Sequence, residues 1–159
     1  MSQQNINTTA SEAEKSSGES PIRAHLVPAC LSLSFYDGFF GYQGQKAQIY
    51  LSHWMQSHCQ NYPDGYWEYF FTDNGTCFVV PGFEDRKNIQ NLFRGFSGEM
   101  LAVAAGITAT LFVLKCLAWQ AWSKNGNDLL ISKLNRYADT LCDYVLTLEE
   151  SSVIFRAIG

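Results

Sequence analysis

The sequence carries little charge and no excess of basic residues. Charged residues make up 16% of the 159 residues, and 15 Asp and Glu against 11 Lys and Arg leave a formal net charge of −4. A nucleic-acid-binding domain typically has a pI above about 9, whereas this chain has a pI of about 5.3. Because one turn of duplex DNA holds roughly twenty negative charges, the net charge also argues against a strongly charged DNA mimic. A local acidic stripe remains compatible with these numbers.

Short motifs that carry common chemistries are missing as well. The chain has no Walker loop, no GxGxxG, no GxSxG and no HExxH sequence. Its cysteines are odd in number, widely spaced and without a CxxC pair, which argues against a disulfide framework or a zinc ribbon. They are Cys30, Cys59, Cys77, Cys116 and Cys142. We therefore expect reduced cysteines, mostly buried, in a cytoplasmic protein with no secretory signal, no metal and no other cofactor.

The chain is instead rich in apolar and aromatic residues, and these are unevenly distributed. Hydrophobic residues make up 47% and aromatic residues 14% of the sequence, which is enough to build a core. Residues 1–20 are dominated by Ser, Thr, Glu, Gln and Asn, and Ile6 is their one sizeable aliphatic residue after Met1. The sequence therefore predicts a disordered tail over residues 1–20 and a single domain over residues 21–159.

A β-hairpin is the clearest local signal. The runs 66–72 and 76–80 flank Asn74-Gly75, a pair that favours the type I′ turn of a two-residue hairpin loop. With that loop, one face of the hairpin is predicted to lie in the core and carries Trp67, Tyr69, Phe71, Phe78 and Val80. The other face is predicted to stay partly open and carries Tyr66, Glu68 and Phe70. A third strand is predicted near residues 89–94.

Helical periodicity predicts the remaining elements. Helices are predicted at 44–59, 99–122 and 128–150, with short helical segments near 33–40 and at 151–158. Ser97 is predicted to cap the second helix, with Glu99 in its first turn, where the helix dipole favours an anion. Asp128 is predicted to cap the third. Together these elements predict an α+β fold, in which a small antiparallel sheet of about three strands packs against three to four helices.

Two interpretations other than a protein-binding module stay open. The apolar run over residues 100–122 approaches the length of about 20 residues that spans a bilayer, but Lys115 within it would cost about 3 kcal/mol on insertion. A buried core helix is therefore the favoured interpretation. A small enzyme using Glu68, Glu99 or a cysteine is the other. His53 and His58 lie five residues apart, on different helix faces, and predict no metal site.

The helix predicted over residues 128–150 carries an acidic stripe. Its members are Asp128, Asp139, Asp143 and Glu150. At about 100° per residue, they fall within about 60° of one another. The stripe is either a solvated helix face or a surface that meets a basic protein.

Two ordered blocks of this sequence resemble the KlcA/ArdB antirestriction family. The first runs from Gly65 to Pro81, includes Trp67 and the Asn74-Gly75 turn, and resembles the family block GGxWEFYELSNGGFYMAP. The second resembles the block NGFSGEMSADAAGIxxTLF. Its matching positions include Ser97, Gly98, Glu99, Met100, Ala105 and Gly106. The resemblance covers residues 21–158, and the matching spacing of the two blocks makes it fairly specific.

The resemblance implies a compact α+β fold and a role as an accessory protein of plasmids, prophages or integrated islands. Such proteins protect incoming unmodified DNA from type I restriction–modification enzymes, without a catalytic residue and without strong DNA mimicry. We therefore predict a protein partner, either the type I restriction–modification complex or an associated host factor, and no strong direct binding of nucleic acid. The predicted contact surface combines the open hairpin face (Tyr66, Glu68, Phe70) with the acidic stripe.

The chain departs from the family pattern at three places. Leu101-Ala102-Val103 stands where the family has Ser-Ala-Asp, which removes an acidic residue from the first turn of the predicted helix. Thr76 replaces the second glycine of the family's NGG, and residues 44–48 lack an acidic residue expected there. If the missing acids form the partner surface, these departures bear on activity.

Overall fold

A computed structural model describes residues 21–63, 65–124 and 126–159, and the tail predicted over residues 1–20 lies outside them. The described residues form two antiparallel sheets, one short helix and four helices of eight residues or more. The strands are β1 (Ala24–Leu26), β2 (Trp67–Thr72), β3 (Cys77–Pro81), β4 (Lys87–Asn91) and β5 (Phe96–Met100). The helices are α1 (Phe35–Phe40), α2 (Gly44–His58), α3 (Ala102–Ser123), α4 (Asp128–Val145) and α5 (Ser151–Ile158), with 3-10 turns at Ala29–Ser34, Gly41–Gln43 and Leu92–Arg94.

The predicted α+β class is confirmed, but the strands form two sheets. β1, β2 and β3 lie side by side in that order, so the hairpin of β2 and β3 belongs to a three-stranded antiparallel sheet. The strand predicted near residues 89–94 exists as β4, yet it pairs with β5 in a separate sheet. A bridge between Cys59 and Ile89 connects this smaller sheet to the end of α2, and the N–H of Gln60 donates to the carbonyl of Asn88 at 2.9 Å.

The hairpin register differs by one residue from the prediction. Phe70 lies opposite Phe78, and Phe71 lies opposite Cys77. The predicted faces are therefore wrong: Phe78 and Val80 share a face with Phe70 and Glu68, not with Tyr69 and Phe71. Phe71, predicted to lie in the core, is 40% exposed. A shift of one residue changes every cross-strand pair, which is why the ring of Phe70 meets Phe78.

The turn explains the shifted register. A type I′ loop needs positive φ at both Asn74 and Gly75, but of these two only Gly75 has it, with φ 90°. The N–H of Thr72 donates to the carbonyl of Thr76 at 3.0 Å, so residues 73–75 form a loop one residue longer than predicted. Loops of this length commonly place glycine at the left-handed position.

The predicted start of the long helix is wrong. Residues 96–100 form β5, in which the buried Phe96 and Met100 alternate with the exposed Ser97 and Glu99. This is the period of two that a strand requires, so Ser97 caps no helix and Glu99 lies in no helical turn. The helix α3 begins after Leu101, which occupies the N-cap position without a side-chain hydrogen bond.

The helix α3 is the centre of the fold, and it packs against β3, α2 and α4. At Gly106 it approaches the sheet so closely that a Cβ atom there would lie 1.9 Å from the carbonyl oxygen of Val79. One turn later, the hydroxyl of Thr110 accepts the N–H of Val79 at 3.3 Å and donates to the carbonyl of Gly106 at 2.7 Å. α3 is long and apolar enough to cross a membrane, but 67% of its most apolar window is buried inside the protein.

The helix α4 has the predicted apolar face, but it begins and ends at residues other than those predicted. Its buried residues include Leu130, Leu134, Tyr137 and Leu141. The N-cap is Asn127, whose Oδ1 accepts the N–H groups of Leu129 at 2.9 Å and Leu130 at 3.2 Å. Asp128 is therefore the first helical residue and not the cap. The helix ends at Val145 rather than at residue 150, and α5 follows as predicted.

Candidate functional site

The hairpin opens at one end into a surface groove. Tyr66 and Glu68, both predicted contact residues, line this groove of about 530 Å³ together with Trp67 and Gln48. Tyr66 is 71% exposed, and Glu68 is exposed as well. β1 pairs with β2 at residues 70–72, and the N–H of Val27 after β1 donates to the carbonyl of Tyr69 at 2.8 Å. The groove therefore presents an aromatic residue and a carboxylate together.

Phe70 lies apart from that groove. It is half-buried, and its ring stacks on Phe78 with centroids 5.1 Å apart and an interplanar angle of 6°. Phe78 in turn stacks on Tyr144 of α4 at 5.5 Å. The three rings join the hairpin to α4, so the structure gives Phe70 a packing role, whereas Tyr66 and Glu68 remain at the surface.

Three members of the predicted acidic stripe lie on α4. They are Asp128, Asp139 and Asp143, all exposed. Their spacing puts them within about 60° of one another and along about 22 Å of helix. Among residues 21–63, 65–124 and 126–159, none of the three carboxylates forms an ion pair. Lys133 and Arg136 lie instead over the ring of Tyr137, at 5.7 and 5.4 Å from its centroid.

Glu150, predicted as the fourth member, does not belong to the stripe because α4 has already ended. One oxygen of its carboxylate lies 2.8 Å from Nη1 of Arg86, and the other accepts the N–H of Leu101 at 3.1 Å. That N–H lies at the start of α3, where the positive end of the helix dipole favours an anion. Glu150 therefore has the role that the sequence suggested for Glu99, and it supplies a negative charge at a helix start that lacks its own.

The hairpin turn is tied to the middle of α4. The Nδ2 of Asn74 donates to the carbonyl of Thr140 at 2.8 Å, and the hydroxyl of Thr76 donates to the carbonyl of Tyr137 at 2.7 Å. Thr76 is fully buried and stands where the family block has glycine. This departure therefore adds a hydrogen bond between hairpin and helix. The motif positions Asn74 and Gly75 shape the turn that makes both contacts.

The second motif block mainly builds the scaffold. Met100 and Ala105 are fully buried, and Gly106 permits the close contact between α3 and β3 described above. A Cβ atom at Gly98 would lie 3.0 Å from the ring of Phe96, so that glycine leaves room for the ring. Ser97 and Glu99 lie on the exposed face of β5, and Trp67 of the first block is half-buried, 6.2 Å from the ring of Tyr62.

The groups proposed for an enzyme do not come together in the part of the chain that the structure describes. Glu68 lies on β2 and Glu99 lies on β5, in different sheets. Burial raises the pKa of four of the five thiols, which is the opposite of the shift that activates a nucleophile. These are Cys59, Cys77, Cys116 and Cys142. Within the same residues, no group of three or more His, Cys, Asp or Glu side chains is placed to hold a metal ion.

A seam between α2 and α3 is not among the predicted sites. One end holds an apolar cavity of about 310 Å³, lined by His53, His58 and Phe112 among others. The other end holds a polar cavity of about 360 Å³ whose walls include Lys46 and Lys124. Between the two cavities, the hydroxyl of Tyr50 accepts a hydrogen bond from the amide N–H of Gln120 at 3.0 Å. One sequence pattern points to this seam: residues 38–63 and 100–124 contain no Asp or Glu. Lysines are therefore the only formally charged residues in these two ranges.

These features describe a small α+β protein with exposed surface grooves and no assembled catalytic group among the described residues. A family model described as antirestriction protein matches residues 60–159. The chain belongs to the antirestriction protein family. The resemblance seen in the sequence is thereby confirmed.

The chain is similar to curated relatives from Escherichia coli. It is 30% identical over 141 residues to an antirestriction protein KlcA, covering 88% of this chain and 96% of the relative. A second antirestriction protein KlcA is 31% identical over 142 residues, covering 87% of this chain and 94% of that one. The uncharacterized protein YfjX of strain K12 is 30% identical over 107 residues, covering 66% of this chain and 65% of YfjX.

A solved structure extends the similarity to the fold. It matches with a TM-score of 0.78 and 32% sequence identity, covering 89% of this chain and 97% of the other. That structure belongs to work on the KlcA and ArdB proteins, described as having a novel fold and antirestriction activity against Type I DNA restriction systems in vivo but not in vitro. The predicted fold class and family are both supported by this match.

Proposed function

We propose that this protein relieves type I restriction of incoming unmodified DNA by binding a protein partner in the cytoplasm, without catalysing a reaction. The observation that carries the proposal is the similarity of 89% of the chain, at a TM-score of 0.78, to proteins described as active against Type I systems in vivo. Nearly the whole fold is shared, so the surfaces described above lie on the same scaffold.

The charge on α4 supports a local contact and not a copy of DNA. Three aspartates are spread along about 22 Å of this helix, whereas the same length of duplex carries about thirteen negative charges. A basic segment of a partner protein fits three separated carboxylates. Charge complementarity of this kind speeds association and selects partners more than it adds affinity.

The hairpin groove supports a protein partner for a second reason. Tyrosine is enriched among the residues that dominate binding energy at protein interfaces, and Tyr66, which is 71% exposed, lines the same groove as Glu68. A partner side chain that is both apolar and basic, such as arginine, can stack on the ring and pair with the carboxylate. The groove and the aspartates of α4 are our candidates for the contact surface.

The activity described for KlcA and ArdB in vivo but not in vitro supports a partner that acts in the cell. A host factor associated with the type I complex fits this description, and so does a cellular state of the complex itself. An affinity pull-down from a restricting host distinguishes the two. Recovery of restriction subunits after mixing with the purified enzyme indicates direct binding, whereas recovery from cells alone indicates the host factor.

Phage plating tests the function directly. Unmodified phage is plated on a host with an active type I system, with and without this protein at verified expression. We expect a higher plating efficiency when the protein is present. Phage already modified by the same system is the control and should plate equally on both hosts. Equal plating of the unmodified phage would refute the proposal.

A further inference from the structure

The outer face of α3 is covered over its first half and open over its second. Helical spacing puts five residues of this face within about 100° of one another; they are Ala105, Thr108, Phe112, Trp119 and Trp122. Ala105 and Thr108 are fully buried, whereas Phe112 is exposed. Trp119 and Trp122 are 65% and 68% exposed. Because tryptophan is highly buried on average, two such rings in the open half mark an interaction surface.

The element that covers the first half is α5, a helix of eight residues. Glu150, at the N-cap position of α5, accepts the N–H of Leu101, so α5 begins beside the start of α3, against which it packs. At 1.5 Å per residue, α5 spans about 12 Å and α3 about 33 Å. α5 is therefore too short to reach the open half, which can seat a further helix of about 12 residues.

We propose that the open half of α3, together with the apolar cavity beside it, binds an acidic amphipathic helix of a partner protein. The cavity of about 310 Å³ lies between α2 and α3, and its walls include His53 and Phe112. A helix that binds in a groove presents apolar anchors at positions i, i+3 or i+4, and i+7. One such anchor enters the cavity, and its neighbours along the helix cover the rings of Trp119 and Trp122.

The charge around this surface selects an acidic partner. Residues 38–63 and 100–124 contain no Asp or Glu, and no acidic residue lines the cavity. Lys46, Lys115 and Lys124 supply the formal positive charge of these ranges. In the three described ranges of the chain, none of these lysines forms an ion pair. Their charges are therefore available to the carboxylates of a bound helix.

Two of these lysines define the orientation of the bound helix. Burial raises the pKa of the Cys116 thiol in the cavity wall, and the charge of Lys46 acts against that rise. Burial also raises the pKa of the Cys142 thiol on α4, where Lys115 opposes the rise and the aspartates of α4 add to it. Lys46 therefore lies close to the cavity, whereas Lys115 lies toward the aspartates. The acidic flank of the partner helix consequently faces α2 and not α4.

Other occupants fit this surface less well. A second copy of the chain would bring the same lysines, and like charges across an interface cost binding energy. Anionic membranes are recognised by clusters of about four to eight Lys or Arg, more than this surface provides. Single-stranded nucleic acid requires a positively charged groove along its backbone, whereas the aspartates of α4 lie near Lys115.

Fluorescence anisotropy of a labelled peptide tests the surface on the full chain. The probe is a helical peptide of about 14 residues, long enough to cover the open half, with leucines at helical spacing and glutamates on its polar face. Its twin has lysines in place of the glutamates. We expect the acidic peptide to bind saturably, at least about tenfold more tightly than its twin, and to weaken as salt rises.

Trp119→Ala should weaken the acidic peptide about tenfold, because tryptophan is prominent among the residues that dominate interface energy. The melting temperature should change little at this exposed site. Leu33→Ala is the matched control, since Leu33 is 94% exposed in the 3-10 turn before α1, and it should bind like wild type.

Lys46→Glu tests the charge complementarity. The new acid lies in the first turn of α2, where the helix dipole favours it, so the fold should be retained. This variant should bind the acidic peptide more weakly and the lysine twin more tightly than wild type, each by about threefold or more.

The outcomes separate the candidate occupants. Preference for the acidic peptide that depends on Trp119 and shifts in Lys46→Glu supports the proposal. The proposal is overturned if neither peptide saturates, if the lysine twin binds as tightly as the acidic peptide, or if Trp119→Ala binds like wild type. It is also overturned if phosphatidylglycerol vesicles, a thymidine oligonucleotide or a second copy of the chain displaces the peptide from this face. Because the readout is peptide binding, the result is independent of antirestriction activity.

Discussion

Glu150 accepts the N–H of Leu101 at 3.1 Å, so a residue from the loop after α4 places its negative charge at the start of α3. The two residues lie 49 positions apart in the sequence. The same carboxylate is held by Arg86 at 2.8 Å. One side chain thus connects the loop before β4, the central helix and the segment before α5, at a helix start where the family pattern usually provides an acid of its own.

We expect Glu150→Ala to lower the free energy of unfolding by about 1–2 kcal/mol, because it removes a charge-assisted hydrogen bond and a helix-dipole contact. Glu150→Gln should cost less, about 0.5–1 kcal/mol, since its amide oxygen still accepts the N–H. Urea denaturation measures both. Glu149→Ala, at the exposed neighbour, is the control and should stay within about 0.5 kcal/mol of wild type. Equal losses at both positions would contradict the assignment.

Gly106→Ala should destabilise the protein by about 3 kcal/mol or more, because the new methyl group overlaps the carbonyl of Val79 and separates α3 from β3. Thermal unfolding followed by circular dichroism measures the loss. Gly38→Ala is the matched control, since that glycine lies in α1 with no heavy atom within 4 Å of the added carbon. It should gain about 0.5–1 kcal/mol from reduced freedom of the unfolded chain. A similar effect of both variants would refute the close contact.

The pH dependence of stability should contain a contribution from Asp73. A hydrogen bond from His25 at 2.6 Å lowers the pKa of this carboxyl, with help from the N–H of Arg23. Because the pKa of Asp73 is lower in the folded state, its ionised carboxylate stabilises the fold at pH values above the ordinary Asp pKa of about 3.9. This stabilisation is lost as pH falls through the lowered pKa of the folded state.

Asp73→Asn should therefore lower the urea midpoint at pH 6, and the difference from wild type should shrink below about pH 4. Asp85→Asn, at an exposed loop carboxylate, serves as the comparison and should show a smaller difference at pH 6. A difference between wild type and Asp73→Asn that stays constant from pH 6 to pH 3 would contradict the predicted linkage.

Thiol reactivity should separate the cysteines by burial. Cys30 is exposed and Cys77 is fully buried, and burial raises the pKa of the Cys77 thiol. At pH 8, a thiol-specific chromogenic reagent should modify Cys30 rapidly and Cys77 only through unfolding, at least about a hundredfold more slowly. Cys30→Ser should remove the fast phase alone. A fast phase that survives in this variant and maps to Cys77 would show that the hairpin core is open.

The contact surfaces can be tested by plating. We expect the double variant Tyr66→Ala/Glu68→Gln to lose about tenfold in protection of unmodified phage, the equivalent of one strong interface residue or pair. Phe93→Ala removes a ring that is 99% exposed elsewhere and should retain protection. Full protection by a folded groove variant would remove the groove from the mechanism.

The aspartates of α4 are tested separately from the groove. Asp139→Asn/Asp143→Asn keeps the size of both side chains and removes two exposed charges, so the melting temperature should change little. Protection should fall in this variant, and its difference from wild type should be larger at low intracellular salt than at high salt, because salt screens charge steering. Unchanged protection in this folded variant would identify the stripe as a solvated face.

Much of the fold follows from local pattern. The helical spacing of Leu130, Leu134 and Leu141 and the apolar composition of α3 determine which faces are buried, whatever the rest of the chain does. These features could be predicted because they depend on near neighbours in the sequence.

Other features depend on contacts between residues far apart in the sequence, and local sequence pattern does not determine them. Ser97 and Glu99 have the composition of a helix start, yet Phe96 and Met100 are buried as β5 packs against α5 and β4. Pairing with β4 therefore overrides the capping signal. Glu150 has the spacing of the stripe, but α4 ends five residues earlier, at Val145. The residues that Glu150 contacts, Arg86 and Leu101, lie 64 and 49 positions away in the sequence, so no local pattern indicates these contacts.

The tie between the hairpin turn and α4 has a consequence for local opening. Because Asn74 and Thr76 bond the carbonyls of Thr140 and Tyr137, the turn cannot detach without exposing these backbone groups. Native-state hydrogen exchange should therefore find the amides of residues 76–80 and 137–145 opening together, as one cooperative unit. Asp139 and Asp143 lie within that unit, so their spacing is as rigid as the hairpin that braces them.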